Sequence, residues 1–362
     1  MTLTFYVARR FLLMFLAISG GFVVLLALIE MVEQVRRFSG IGFGEAAELA
    51  ALSTPASLYR ILPLIVILAT VGLFLALARS SELVVIRAGG RSALVTLMAP
   101  VVTAILIGVL AVAVLNPIAA GTTKAYELRS GLHGGSASTL SVTGEGLWLR
   151  QGGAEGQTVI HADRSNTDGT VLWGVTFMTF TPDGMPARRI AAARAVLEPG
   201  GWRLANAKQW DLEPGGNAEA GATRATELAL PSDLTADRIR DSFGQPSAIP
   251  IWDLPGFIAG LQRAGFSARA HLVWFQMELA LPLLLAAMVL IGAGFTMRHV
   301  RFGRTGLMVL LAIVSGFAFF FLRNFAQVLG ENGQIPVALA AWSPPVAATF
   351  LSLGLVLHLE EG

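Results

Sequence analysis

The feature that most constrains the fold of this chain is a set of long apolar segments. Crossing about 30 Å of hydrocarbon takes roughly 20 helical residues, and six segments come close to that length. They run over approximately Phe11–Val35, Tyr59–Ala78, Leu94–Asn116, His271–Met297, Thr305–Leu322 and Val337–His358. Lipid offers no partners to backbone polar groups, so a segment of this kind crosses it as a helix. The sequence therefore predicts six transmembrane helices.

Composition agrees with a membrane protein. Only 14% of the 362 residues are charged and 54% are hydrophobic, whereas a soluble domain carries about 25% charged residues. The chain has no cysteine, which excludes disulfides, cysteine-based zinc sites and thiol nucleophiles. Its five histidines are scattered, and the net charge of +2 comes without any run of Lys and Arg. We therefore predict neither a metal site nor a nucleic-acid partner.

The first apolar segment follows Arg9 and Arg10, and a signal peptide begins in the same way. The run from Phe11 to Ile29 is longer than the roughly 7–15 residues of a signal-peptide core. Glu30 follows it without a small-residue cleavage motif. We expect an uncleaved first helix.

Arginines in the short loops and at the helix ends orient these helices, because cytoplasmic loops carry an excess of Lys and Arg. An N-terminus in the cytoplasm places eight arginines inside and four outside. The inner eight are Arg9, Arg10, Arg79, Arg87, Arg91, Arg298, Arg301 and Arg304. The outer four are Arg36, Arg37, Arg60 and Arg323. We expect both termini to be cytoplasmic.

The stretch from Ala119 to about Ala270 differs from the rest of the chain. It is polar and consists of short alternating runs, such as Trp173–Phe180 and Trp202–Leu212, separated by turn sequences rich in Gly and Pro. Such runs are typical of an all-β sandwich or jelly roll. Because the third helix runs outward, this domain is expected outside the cytoplasm. The sequence thus predicts an α+β membrane protein in three parts, with helices 1–3 in residues 1–118, the β domain in 119–270 and helices 4–6 in 271–362.

The cytoplasmic loop near residues 80–90 has the pattern of a short helix. Ser80 or Ser81 can cap it, Glu82 lies in its first turn, and Gly89-Gly90 end it. Ser92 can cap the following helix. With Leu83, Val84 and Ile86 exposed, between Arg79 and Arg87, this helix suits docking to another protein. The alternative is an interfacial helix that lies on lipid.

The four outer arginines, Arg36, Arg37, Arg60 and Arg323, oppose the orientation rule. Guanidinium groups form bidentate bonds with phosphate, so a cluster of them suits an anionic headgroup. Alternatively, these side chains reach toward the membrane interface or pair with nearby carboxylates, namely Glu30, Glu33, Glu45 and Glu331.

Three acidic residues, Glu30, Glu33 and Glu278, lie near the outer ends of apolar segments. Carboxylates within membrane segments are costly and indicate a function. An ion pair inside the helix bundle is one interpretation and a proton relay is the other. A proton-coupled carrier would more naturally place its carboxylate at mid-membrane.

Sequence motifs for catalysis are missing. The chain contains no G-x-x-x-x-G-K-[ST] phosphate-binding loop, no H-E-x-x-H and no G-x-S-x-G. We expect no catalysis and no cofactor in this chain. If transport needs ATP and Mg²⁺, a separate subunit uses them.

Over nearly its full length the chain resembles the LptF/LptG family of lipopolysaccharide export permeases, and the LptG side of it in particular. Four features in this order carry the resemblance: Val32-Glu33-Gln34-Val35-Arg36-Arg37 at the end of the first helix, Ser81-Glu82-Leu83-Val84-Val85 with Gly89, Gly146-Leu147-Trp148-Leu149, and Gly333-Gln334-Ile335-Pro336 with Ser343-Pro344.

The resemblance implies a permease that extracts lipopolysaccharide from the outer leaflet of the bacterial inner membrane and passes it through a periplasmic β-jelly roll to an LptA-like bridge. It implies an LptF-like permease, an LptB-like ATPase dimer and an LptC-like membrane-anchored protein as partners. Glu82, with Leu83, Arg79 and Arg87, would couple to the ATPase. Arg36 and Arg37 would contact the lipid's phosphates.

Two other classes of function stay open at this point. One is a periplasmic sensor or scaffold without a transport role, and the other is an ion-coupled secondary transporter. The cytoplasmic helix favours the ATP-driven permease over the ion-coupled carrier, which needs no ATPase docking site. The outer arginines favour it over a sensor, which has no need of a basic headgroup site.

Overall fold

The structure is a computed structural model that describes residues 2–38, 41–90, 92–131, 140–143, 146–153, 156–166, 169–181, 183–212, 217–232, 234–235, 239, 245–263, 266–297 and 305–361. The chain divides into two compact units. The helical unit is Met1–Ser130, Ser247–Trp252 and Arg269–Gly362, and the β unit is Gly131–Pro246 and Asp253–Ala268. The sequence had placed the corresponding boundaries at 118 and 270.

The helical unit contains most of the helices. Before the β unit these are α1 (Thr2–Arg37), α2 (Phe43–Arg60), α3 (Leu62–Arg79), α4 (Glu82–Ala88), α5 (Ala93–Leu110), a π-helical turn (Ala111–Leu115) and α6 (Asn116–Gly131). The β unit contributes α7 (Leu254–Arg263). The last helices are α8 (Arg269–Leu279), α9 (Leu281–Thr296), α10 (Thr305–Glu331) and α11 (Val337–Glu361).

Several helices are long and apolar enough to cross a membrane. In the described residues there are five such spans: Leu3–Arg37, Leu62–Arg79, Leu94–Ser130, Gly306–Glu331 and Val337–His358. Helices α8 and α9 form a further pair, bent by 51° at their junction. The count of six therefore requires this bent pair to be one span.

Proline explains the bend between α8 and α9. Pro282 lies in the first turn of α9 and has no N–H to donate to the carbonyl of Glu278, four residues earlier. Its ring also crowds that carbonyl, so a straight helix through this point is disfavoured. The sequence analysis treated this stretch as one segment because its apolar character is continuous across the break.

The prediction that the third helix ends at Asn116 is wrong. Asn116 is helical, with φ −59° and ψ −52°, and the helix continues to Gly131. Pro117 cannot donate to the carbonyl of Ala113, but the indole Nε1 of Trp252 does so at 3.2 Å. The π-helical turn before Asn116 adds one residue to the turn. The helix therefore passes the proline without an unpaired carbonyl at Ala113.

Helix α9 is the central element of the helical unit. Almost all of its side chains are buried, against α3, α5, α10 and α11. Small residues permit this packing: a Cβ at Gly108 of α5 would lie 2.6 Å from Cα of Pro282, and one at Gly292 would lie 3.0 Å from Thr70. The apolar core around it includes Phe11, Ile65 and Phe74.

The β unit is an antiparallel sheet. Its seven described strands follow each other in sequence order, β1 (Leu140–Thr143), β2 (Gly146–Gly153), β3 (Gly156–Ser165), β4 (Val171–Phe180), β5 (Pro186–Glu198), β6 (Gly201–Asp211) and β7 (Thr223–Pro231). The predicted β structure is confirmed. The jelly roll is not, because every neighbouring pair in this sheet is sequential, whereas a jelly roll contains Greek-key connections.

One face of the sheet forms the core of the β unit. Ile160, Phe177 and Ile190 occupy one register row across β3, β4 and β5 and each is at most 1% exposed. Phe177 meets Trp202 edge to face, with ring centroids 6.1 Å apart. Helix α7 buries Leu254, Ile258 and Leu261.

Replacing Gly108 with alanine tests the packing of α5 on α9. We expect a loss of about 1–3 kcal/mol, because the new methyl group must displace the backbone of Pro282. The matched control is Gly121→Ala in α6, where the added Cβ meets nothing within 4 Å and the gain in helix propensity is the same. The measurement is the unfolding temperature in detergent. Equal effects of the two substitutions would contradict the close α5–α9 contact.

Candidate functional site

The carboxylate of Glu82, at the start of α4, is bound within the chain. Nη1 of Arg10 donates to Oε1 at 2.8 Å and to Oε2 at 2.7 Å. The hydroxyls of Tyr6 and Ser80 donate to it as well, each at 2.8 Å. The hydrogen bond from Arg10 lowers the pKa of Glu82, with further contributions from Ser80 and Tyr6. This arrangement ties α4 to the first turns of α1.

Helix α4 has one buried and one exposed face. Leu83 and Ile86 are 5% and 7% exposed, whereas Val84 and Val85 are 54% and 70% exposed. The prediction that Leu83 and Ile86 are exposed is therefore wrong. Residues three apart share a helix face, and this pair packs inward. Val84 is exposed as expected, and the sequence analysis had not singled out Val85.

The ends of this loop agree with the sequence pattern. Helix α4 ends at Ala88, and Gly90 adopts φ +76°, a conformation that favours glycine. The hydroxyl of Ser92 accepts a hydrogen bond from the N–H of Val95 at 3.2 Å, which caps α5 as predicted. Arg79 is exposed, and the side chain of Arg87 lies outside the described residues.

At the other end of α1, two arginines have partners nearby. Arg36 forms an ion pair with Glu33 at 2.8 Å, one turn away, with both side chains largely exposed. Arg37 donates to the hydroxyl of Tyr126 at 3.5 Å, and its guanidinium lies over the ring of Phe38. Both arginines remain in reach of a ligand, because an exposed pair of this kind is weak and easily exchanged.

The other two predicted arginines differ from each other. Arg60, the last residue of α2, is exposed. Arg323 of α10 is half-buried. The structure therefore leaves Arg60 open to solvent or lipid, whereas the rest of the chain covers part of Arg323.

The acidic residues also differ in their partners. Glu30 accepts hydrogen bonds from two hydroxyls of α2, those of Ser53 at 3.0 Å and Ser57 at 2.8 Å. Glu278 is only 1% exposed and accepts from the hydroxyl of Tyr59 and from the amide of Asn116 at 3.2 Å. Glu278 is thus the centre of a buried polar cluster, and Glu30 joins α1 to α2.

Asn116 connects the buried cluster to the segment that returns from the β unit. Its amide oxygen accepts from the backbone N–H of Ile251 at 2.9 Å, while its amide nitrogen donates to Glu278. Both ends of the side chain are therefore used. In the sequence-based prediction the third apolar segment ended at Asn116. The amide side chain at the end of an apolar segment was the signal that could have indicated a buried polar contact.

The sequence did not predict that Tyr59, Tyr6 and Arg10 donate hydrogen bonds to carboxylates. Tyr6 and Arg10 are four residues apart and therefore share a face of α1, which could have indicated a paired site. Tyr59 gave no local signal, since its partner is 219 residues away in the sequence.

Metal binding has no support in the part of the chain that the structure describes. Those residues contain no group of three or more His, Cys, Asp or Glu side chains that could hold a metal ion.

Comparison with known proteins now identifies the family. Residues 5–358 match the profile described as "Lipopolysaccharide export system permease LptF/LptG". The chain belongs to the LptF/LptG family. It is 26% identical over 357 residues to the lipopolysaccharide export system permease protein LptG of Escherichia coli K12, covering 96% of this chain and 93% of that protein. LptG of Escherichia coli O6:H1 gives the same values.

Membership in this family makes the chain homologous to a subunit of a lipopolysaccharide export permease. Together with its apolar helices, this identifies a multi-pass protein of the inner membrane. The predicted resemblance to the LptF/LptG family is confirmed, and so is the predicted α+β class.

Replacing Glu82 with Gln tests the ion pair that ties α4 to α1. A carboxyl group whose pKa is lowered in the folded state stabilises the protein above its usual pKa, and this contribution is lost as the pH falls through the lowered value. We expect Glu82→Gln to cost about 1 kcal/mol or less at pH 7, because the pair is partly exposed.

The measurement is the unfolding temperature of both proteins from pH 7 downward, and the difference should shrink at acidic pH. Arg36→Gln, which breaks the more exposed Arg36–Glu33 pair, is the control and should have a smaller effect. A difference between Glu82→Gln and the unaltered chain that is independent of pH would contradict the ion pair's contribution.

Proposed function

We propose that this chain is a permease subunit of an ATP-driven complex that extracts lipopolysaccharide from the outer leaflet of the inner membrane and passes it to a periplasmic bridge. The proposal extends what the family establishes by naming the energy source, the leaflet and the direction. The observation that carries it is the surface of α1, which combines a long exposed apolar face with an arginine-rich end.

The apolar face of α1 suits acyl chains. Leu13, Val24 and Val32 are 56%, 62% and 67% exposed, and few residues of this helix are covered by the rest of the chain. Arg36 and Arg37 follow within two turns. A phosphorylated lipid is complementary to this helix. Its apolar tails match the apolar face, and its neighbouring anionic groups match the arginines, which bind phosphate in a bidentate manner. Arg60, which is exposed on α2, is the third proposed phosphate contact.

The exposed face of α4 suits an ATPase. Val84 and Val85 form an apolar pair on a short helix, while Glu82, Arg10 and Tyr6 fix the other side of that helix to α1. Docking of the ATPase on Val84 and Val85 would then be transmitted to α1 through the ion pair between Glu82 and Arg10. In this proposal Glu82, Leu83, Arg79 and Arg87 support coupling, and the side chains of Val84 and Val85 make the contact.

The proposed assembly follows the family. It contains an LptF-like permease, an LptB-like ATPase dimer that uses ATP and Mg²⁺, an LptC-like protein and an LptA-like bridge. Both termini and α4 are placed in the cytoplasm and the β unit in the periplasm, in agreement with the arginine distribution. This chain needs no cofactor of its own and performs no catalysis.

A photo-crosslinker at Val32 tests the lipid. We expect it to capture lipopolysaccharide in the assembled complex, and the double reversal Arg36→Glu with Arg37→Glu should lower capture about tenfold, the effect of losing ~1.4 kcal/mol of charge-assisted bonding. Leu13 is the control position, because it is also exposed but lies toward the other end of α1. Arg9→Glu controls for charge reversal at that other end. Capture of phospholipid alone at Val32 would refute the substrate assignment.

Introducing a charge on α4 tests ATPase docking. Val85→Glu should abolish co-purification of the ATPase, because a charge in an apolar contact is costly to bury. Glu82→Ala should weaken docking and lipid-stimulated ATP hydrolysis, since it releases α4 from Arg10. The matched control is Val109→Glu on α5, which is 51% exposed within an apolar segment. Normal co-purification of Val85→Glu would show that the ATPase binds elsewhere.

A further inference from the structure

A short stretch between two parts of the β unit belongs to the helical unit. Ser247–Trp252 is part of the helical unit, whereas the chain before it, up to Pro246, and after it, from Asp253, is part of the β unit. The chain thus returns to the helices briefly and leaves them again before α8 begins. We call Ser247–Trp252 the docking segment. Because it continues into the β unit at both ends, it is a covalent route by which that unit can act on the helices.

Within the described residues, two hydrogen bonds hold the docking segment on the span formed by α5 and α6. The indole Nε1 of Trp252 donates to the carbonyl of Ala113 at 3.2 Å, and the backbone N–H of Ile251 donates to Oδ1 of Asn116 at 2.9 Å. The side chain of Ile251 is buried, whereas Trp252 is 69% exposed. A segment with so few buried contacts belongs to the part of a protein that opens at low free-energy cost.

Both acceptors lie where the span is irregular. The N–H of Asn116 bonds to the carbonyl of Ala111, five residues earlier, at the end of the π-helical turn. Pro117 has no N–H to offer the carbonyl of Ala113, and hydrocarbon contains no other donor. The docking segment therefore supplies a donor that lipid cannot supply. Single π-helical turns of this kind are frequent at functional sites.

Asn116 carries the contact further into the helical unit. Its Nδ2 donates to Oε2 of Glu278 at 3.2 Å, and Glu278 lies four residues before Pro282, at the 51° bend between α8 and α9. The same span meets the bend a second time, since a Cβ at Gly108 would lie 2.6 Å from Cα of Pro282. A change at Asn116 can therefore reach the bend through direct contacts.

We propose that the docking segment is a releasable latch and that Asn116 and Trp252 are its positioning residues. While the segment is docked, it holds the π-helical turn and the bend in their present arrangement. When the β unit moves during transport, it pulls on the segment, breaks both hydrogen bonds and frees the turn to rearrange. The inference rests on the proposed function and deepens it, because it identifies how the β unit regulates the membrane helices.

Fluorescence quenching tests the release of the latch in the complete complex. The chain has no cysteine, so a bimane dye can be attached to one introduced cysteine when the other subunits also lack cysteine, and a nearby indole quenches this dye. At Val114, which follows Ala113 and is 49% exposed, Trp252 should quench the dye at rest. Lipopolysaccharide with ATP and Mg²⁺ should remove this quenching and bring the fluorescence to its level in Trp252→Phe.

The control position for the dye is Val102, which is 46% exposed on the same span. It lies about 18 Å from Val114 at ~1.5 Å per residue, so no change is expected there. Unchanged quenching at Val114 with lipopolysaccharide and ATP would show a permanently docked segment and overturn the latch.

An alanine substitution tests the hydrogen bond to the docking segment without any lipid. Asn116→Ala removes the acceptor for the N–H of Ile251 and should relieve quenching at Val114 in the resting complex. The matched control is Asn332→Ala, which is exposed in the turn after α10 and should leave the quenching intact. Full quenching in Asn116→Ala would overturn the role of Asn116.

The coupling of ATP hydrolysis to lipid provides a second readout. Trp252→Phe keeps an aromatic ring and loses the N–H donor, so it also serves if Asn116→Ala fails to fold. We expect it to lower lipid-stimulated ATP hydrolysis about fivefold, a typical size for coupling between sites. Basal hydrolysis and lipid capture at Val32 should stay within about twofold, because neither α4 nor α1 is altered.

Trp148→Phe, which changes a 40% exposed indole of β2, is the control for the loss of an indole and should have no effect on stimulation. A merely structural role of Trp252 would lower basal and stimulated hydrolysis equally. Equal losses, or unchanged stimulation in Trp252→Phe, would overturn the latch.

The experiments separate this inference from the function on which it rests. Absence of lipopolysaccharide capture at Val32 in the unaltered chain would refute the proposed function. Normal capture at Val32, together with quenching at Val114 that lipopolysaccharide and ATP leave unchanged, would refute the latch alone.

Discussion

The helical unit depends on one constraint, the need to pair every backbone polar group within a lipid environment. Prolines inside helices conflict with it, and two of them show how the chain responds. Pro117 leaves the carbonyl of Ala113 without its helical donor, and the indole of Trp252 supplies the replacement. Pro282 interrupts the helix at the 51° bend. The buried pair of Asn116 and Glu278 joins these two places.

The buried cluster lies where the helical backbone is irregular, and it joins helices that are far apart in the sequence. Tyr59, Asn116 and Glu278 come from three different helices, and the N–H of Ile251 adds the returning segment. Buried polar networks of this kind specify one arrangement of helices when each member is satisfied. Here the network fixes how the helices that carry Tyr59, Asn116 and Glu278 pack against one another.

Much of the fold could be predicted from the sequence because apolar length and alternation are local properties. This group includes the spans, the β unit, the end of α4 just before Gly89 and the Ser92 cap. The helix beyond Asn116, the break before Pro282 and the burial of Leu83 and Ile86 could not be predicted. The helix beyond Asn116 and the burial of Leu83 and Ile86 depend on partners far away in the sequence, such as Trp252 for Ala113. The break before Pro282 has a local cause, but the continuous apolar character of the segment obscures it. In the candidate site, the residue types were recognised, but the pairing of Arg10 with Glu82 and of Tyr59 with Glu278 is a property of the folded chain.

The tie between α4 and α1 has a mechanical consequence. Arg10, which binds Glu82, and Arg36 lie on the same uninterrupted helix, and their separation of 26 residues corresponds to about 39 Å at ~1.5 Å per residue. The helix is thus a lever with α4 attached near one end and two arginines at the other. A tilt of about 5° about the Arg10 end moves the Arg36 end by about 3 Å over this length. That displacement is the length of a hydrogen bond, enough to make or release a phosphate contact.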